Sequence, residues 1–157
     1  MRKGTFTADG KIPYTEDTKL ASKKISKVDE DAKRLIIDIL GDNETRGFDI
    51  DSLYYTTTGW KVIEFLKCET VSPHASHPRR YWKKAFRKVM SMWALTQKLE
   101  GRFIWITYEV PYNRFSIIEF LEVTTEDGII RDKRIDTDYE GFKKWFNGLN
   151  DNAKPLW

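Results

Sequence analysis

The stretch GFDIDSLYYTTTGWKVIEFLKCE, residues 47–69, decides the fold. Its two halves, 47–55 and 60–69, are rich in aromatic and β-branched residues, and TTTG at 56–59 separates them, so the spacing predicts a β-hairpin. Setting Tyr55 opposite Trp60 fixes the register. Leu53 then faces Val62, Asp51 faces Glu64 and Asp49 faces Leu66. Strand side chains alternate, so Asp49, Asp51, Leu53, Tyr55, Trp60, Val62, Glu64 and Leu66 share one face. Ile50, Tyr54, Ile63, Phe65 and Lys67 share the other. Both faces are largely apolar, so the hairpin is expected to be covered on both sides.

Upstream, residues 1–17 are polar with Gly and Pro and read as an N-terminal arm, with room for a short strand at 4–7. A helix follows. Ser26 and Asp29 have capping-box spacing, Val28, Ala32, Leu35, Ile36 and Ile39 recur at helical intervals, and Gly41 ends it. Downstream, residues 70–78 form a loop, and a second helix is expected over 78–99, with Trp82, Ala85, Phe86, Val89, Trp93 and Thr96 as its buried stripe. Strands are expected at 102–110 and 114–123, turned by residues 111–113. A charged connection, with TEDG read as a turn, leads to a last helix near 138–149, capped by Thr137 and Glu140. The order αββαββα predicts an α+β (mixed α/β) domain. Its central mixed sheet has four or five strands, flanked by helices, and the strand after the second helix runs parallel to one hairpin strand.

A chain of 157 residues has the length of one domain, and 40% apolar residues suffice for a core. One cysteine, Cys68, excludes an internal disulfide scaffold; within an apolar strand pattern it reads as inert core. No apolar run approaches the ~18 residues of a membrane span, and the N-terminus lacks a signal-peptide pattern. The expectation is therefore a compact, soluble domain in the cytoplasm with no membrane partner. There is no Gly-rich phosphate loop and no G-x-S-x-G elbow, which excludes the usual signatures of NTPases and serine hydrolases.

The hairpin's open end carries the chemistry. Asp49, Asp51 and Glu64 fall on one predicted face, and like charges opposite one another cost stability unless neutralised. Two remedies are open. The acids are solvated or paired with Lys or Arg, or they hold a divalent cation. Carboxylates suit Mg²⁺ or Mn²⁺, which leave room for water and phosphate.

This layout resembles the PD-(D/E)xK, or restriction-endonuclease-like, nuclease superfamily. The likeness covers roughly residues 26–110: a helix, a hairpin with an acid on its first strand, an acid and a lysine on its second, then a helix and a further strand. The matching residues are Asp51 (or Asp49), Glu64 and Lys67, with an acid-to-acid spacing of 13 or 15 residues. No proline precedes the first acid. The second motif reads Glu64-Phe65-Leu66-Lys67, one residue longer than the pattern, so a β-bulge near Phe65 is needed to return Lys67 to the face of Glu64. The resemblance implies a Mg²⁺- or Mn²⁺-dependent endo- or exonuclease. Asp51, Glu64 and Lys67 would be catalytic, and the metal would be held by Asp51 and Glu64, with Asp49 and an acid of the first helix, Glu30 or Asp31, as further ligands. The implied substrate is DNA, with RNA second. Many such nucleases act as dimers, so a homodimer is also an expectation.

The segment PRRYWKKAFRKV (78–89) puts Arg79, Arg80, Lys83, Lys84, Arg87 and Lys88, six cations, within ten residues and with no acid among them. They avoid the apolar stripe and form a face suited to a polyanion. A solvated basic face is the plainer reading. Ser76 and His77 precede that helix and are candidates for phosphate contact. His74 and His77 lack the further ligands a zinc site needs. The six tryptophans read as core more readily than as a base-stacking platform. Two functional classes follow: a metal-dependent nuclease, or a non-catalytic nucleic-acid-binding or interaction module using the helix at 78–99.

Overall fold

The computed structural model describes residues 30–42, 47 and 49–156. The chain divides into two units, Met1–Gly47 with Pro155–Trp157, and Phe48–Lys154. In the first unit α1 spans Asp31–Leu40. Gly41 ends it as expected. Its φ of 53° is a conformation glycine adopts without penalty, and its N–H donates to the Ile37 carbonyl at 2.9 Å. The expected helix start at Ser26 and Asp29, the arm at 1–17 and the strand at 4–7 lie outside the described residues.

The second unit is a five-stranded mixed sheet with a helix on each face. Its strands are β1 (Ser52–Thr56), β2 (Gly59–Lys67), β3 (Arg102–Tyr108), β4 (Arg114–Thr124) and β5 (Gly128–Asp138), in spatial order β1-β2-β3-β4-β5. The hairpin register is the expected one, with Tyr55 opposite Trp60 and Leu53 opposite Val62. β3 runs parallel to β2, and the other neighbours are antiparallel. The β2–β3 crossover is made by α2 (Trp82–Lys98), entered through a 3₁₀ turn, Pro78–Tyr81. α3 spans Tyr139–Asp151. None of the described helices is long and apolar enough to cross a membrane.

The alternation of β2 sends its side chains to two separate cores. Val62, Ala85, Val89, Met92, Phe103, Trp105, Ile118 and Phe120 pack between the sheet and α2. Ile63, Ile104, Ile106, Phe115 and Ile117 pack on the opposite face, where Phe65, Phe142, Trp145 and Leu149 adjoin them. Phe115 and Phe142 stack at 4.3 Å with an interplanar angle of 2°.

Four expectations change. The charged connection before the last helix is a strand, β5, so the order is αββαβββα. Its sequence alternates without an apolar face because it is a sheet edge, and its pairing with β4 supplies the order that hydrophobic periodicity does not. TEDG is the hairpin turn that starts it, with Gly128 at φ 75°. The first hairpin strand begins at Ser52, leaving Asp49 and Asp51 just outside the ladder. Phe86, assigned to the buried stripe, is 39% exposed, and Met92 is fully buried instead. The cap of α3 is Asp138, which accepts from the Gly141 N–H at 2.9 Å.

Candidate functional site

Glu64 lies mid-strand on the α2 side of β2, beside Trp105 of β3, and is only 3% exposed. Asp51 stands one residue before β1, and its Oδ2 accepts the Phe65 N–H at 2.8 Å. That bond ties the end of the hairpin and holds the Asp51 carboxylate next to Glu64. Burial, followed by the neighbouring Asp51 charge, pushes the Glu64 carboxyl up to about 7 against the opposing pull of Lys88. Lys88, from the middle of α2, donates to Glu64 Oε2 at 2.9 Å and to the Asp49 main-chain oxygen at 3.1 Å. Glu64 Oε1 is buried with no hydrogen-bond partner.

These groups form one wall of a cavity of about 760 Å³. Ala75–His77, Arg80, Tyr81 and Lys84 also line it. Arg134 fixes the loop that supplies Ala75–His77. Its Nη2 donates to the carbonyls of Pro73 and His74, and its Nε to Asp136 Oδ1 at 2.7 Å. Tyr81 and Trp105 also line the cavity. Burial raises the Tyr81 phenol above its ordinary value against the opposing pull of Ser76 and Trp105, and neither the buried Tyr81 hydroxyl nor Trp105 Nε1 completes a well-aligned hydrogen bond.

The sequence candidates take different places. Asp51, Glu64 and Lys67 line the same cavity. The β2–β3 register runs unbroken from Lys61 opposite Arg102 to Lys67 opposite Tyr108. The strand therefore has no bulge at Phe65, and Lys67 alternates away from Glu64 and pairs with Glu69 at 3.7 Å. The lysine that reaches Glu64 is Lys88. Asp49 is exposed and offers its carbonyl. Glu30 stands at the start of α1 in the first unit. Cys68, expected in the core, is half-buried at the cavity wall.

The basic segment divides by role. Arg79 pairs with Asp132 at 2.6 Å and donates to the Ile129 and Ile130 carbonyls, fastening the start of the helix to β5. Arg80 donates to the Ala75 carbonyl at 2.6 Å. Lys83, Lys84 and Arg87 are exposed, and Lys84 faces the cavity. Ser76 is buried. His77 accepts the Arg79 N–H on Nδ1 and has Nε2 3.4 Å from Asp132, so both ring nitrogens are turned to the fold. Burial lowers its pKa, which favours the neutral ring.

Tyr81 and Trp105 were missed as cavity residues. Trp105 meets Glu64 only through the parallel pairing of β2 with β3, which no local pattern encodes. The one available signal for Lys88 was its place beside buried Ala85 and Val89 on α2.

Two carboxylates and a carbonyl oxygen suit a hard divalent ion that keeps several waters. The orphaned Glu64 Oε1 is an unused donor of that kind. Among the described residues, no group of three or more His, Cys, Asp or Glu side chains converges as a metal site. No family model, curated protein or solved structure matches the chain.

Proposed function

We propose that the cavity hydrolyses phosphodiester bonds in DNA with the help of Mg²⁺ or Mn²⁺. The observation that carries this reading is the buried Glu64 carboxylate, set beside Asp51 and met by Lys88 at 2.9 Å, in a cleft under a basic helix. A buried acid with one unsatisfied oxygen, set beside an exposed second carboxylate, is an expensive arrangement, and perturbed acids in a cleft are typical of functional sites. The resemblance of the hairpin to PD-(D/E)xK nucleases supports the same chemistry.

In this reading Asp51, Glu64 and the Asp49 carbonyl would hold the ion. When bound, it polarises the phosphodiester and acidifies a water. Water adds to phosphorus and the bond to one sugar oxygen breaks, leaving a phosphomonoester and a hydroxyl. Glu64 must be ionised. Lys88 is the nearest ammonium to the reacting phosphate, and Lys84, one turn away along α2, neutralises an adjacent one. The Arg134-held loop keeps Ala75–His77 in place at the cavity.

A second reading is a nucleic-acid-binding module without chemistry. It is favoured by one observation: β2 is regular through Lys67, so the lysine of the motif does not join the acids. Plasmid and single-stranded DNA incubated with Mg²⁺ or Mn²⁺ separate the two. Cleavage is expected, falling at least 100-fold in Asp51→Asn and Glu64→Gln. If wild type cuts no better than these variants while still binding DNA, the binding module is the correct reading.

A further inference from the structure

We propose that the Lys88 ammonium is a resident cation in the acidic site, so that a divalent ion enters only by displacing it. The proposal rests on reading Asp51 and Glu64 as a cation site. Lys88 Nζ touches one carboxylate oxygen, Glu64 Oε2 at 2.9 Å, and one main-chain oxygen, Asp49 O at 3.1 Å. A hard cation at the end of this hairpin would use these same two oxygen types. An ammonium and a divalent ion cannot share them.

The fit of the ammonium is incomplete, which makes it a placeholder rather than a finished ion pair. Glu64 is 3% exposed, yet its Oε1 has no partner. Asp51 Oδ2 is already engaged by the Phe65 N–H. The Lys88 ammonium meets one oxygen of Glu64 and leaves the other idle. A divalent ion would draw both acids into their ionised form and use the idle oxygen.

Displacement has somewhere to send the lysine. The Lys88 side chain is 35% exposed and, like Lys84, lines the cavity. Released from Glu64, it is free to donate to a phosphate oxygen there. Metal entry would thus create a phosphate-binding group, and by linkage a bound polyanion would strengthen metal binding by the same factor.

The test measures binding, not cleavage. Mn²⁺ is titrated into wild type, Lys88→Met and Lys88→Arg, with free Mn²⁺ read by electron paramagnetic resonance. Lys88→Met should bind at least tenfold more tightly than wild type, and Lys88→Arg should stay near it. In wild type, saturating Mn²⁺ should raise the acylation rate of Lys88 severalfold relative to exposed Lys98, read by peptide mass spectrometry. Equal affinity of wild type and Lys88→Met overturns the proposal, as does unchanged Lys88 acylation. The acylation result stands alone if Lys88→Met does not fold. Mn²⁺ binding to none of the three proteins removes the cation site itself, and with it the hydrolytic reading.

Discussion

The two faces of the sheet are built from the same strands and solve opposite problems. On the α3 face, β2 contributes Ile63 and Phe65 to an apolar cluster that includes the stacked rings of Phe115 and Phe142. On the α2 face, the same strand contributes Val62 and Leu66, but between them it buries Glu64. The first arrangement gains from the apolar groups it removes from water, and the charge β2 buries there, Lys61, donates to the Thr58 carbonyl at 3.1 Å. The second gives up part of that gain to hold an acid that one lysine only half satisfies. The acid that β2 buries, Glu64, stands on the α2 face alone, and its burial costs stability there.

The contrast breaks most readily on the α3 face. Phe115→Ala removes a buried ring and its stack with Phe142, and should cost about 3–5 kcal/mol. Urea unfolding at constant m-value measures it. A cost below about 1 kcal/mol would mean that the α3 face is not where stability is concentrated.

The α2 face is sharpened by pH. Glu64 holds its proton up to about 7 in the fold but releases it near 4.5 when unfolded. The folded state therefore binds more protons between those values. The stability tied to this proton is fully present below 4.5 and lost as pH rises through 7, by about 3 kcal/mol. Without divalent ions, Glu64→Gln should lose that slope and exceed wild type in stability at pH 8. Parallel wild-type and variant stability profiles across pH 4–8 would show that Glu64 is not strained in this way.

How much of this contrast was legible in the sequence follows from where each interaction lies along the chain. The hairpin register was readable because Tyr55 and Trp60 are neighbours across a short turn, and register then forces Asp51 toward Glu64. Two cores were readable from the alternation of β2. β5 was not, because an edge strand such as RDKRIDTD carries no apolar face, and only β4 tells it what to be. The roles within the basic segment were also hidden. Arg79 and Lys83 look alike in sequence, but the partner of Arg79 is Asp132, 53 positions away. The strand pattern suggests Lys67, three residues along, as the lysine at Glu64, whereas α2 supplies Lys88.

A smaller effect checks that the faces are separable. Asp138 caps α3 by accepting the Gly141 N–H, so Asp138→Ala should cost about 1 kcal/mol. It should leave Mn²⁺ affinity unchanged, since α3 covers the face opposite the cavity. A change in Mn²⁺ affinity would show that the two layers are coupled through the sheet.

The smallest expected effect separates two cations of the same segment. Lys84 is exposed at the cavity, whereas Arg79 holds Asp132 at 2.6 Å and two β5 carbonyls. If the α2 face meets a nucleic-acid backbone, Lys84→Ala removes about one phosphate contact. Affinity at moderate salt should fall roughly threefold, and the slope of log K against log salt should drop by about 0.7–0.9. Thermal stability should not move. Arg79→Ala should do the reverse: it leaves Asp132 without its cation and lowers the unfolding midpoint, with the salt slope unchanged where the protein is still folded. Fluorescence anisotropy across a salt series reads both. Equal salt slopes for wild type and Lys84→Ala would mean that the basic face of α2 is solvated, not a phosphate track.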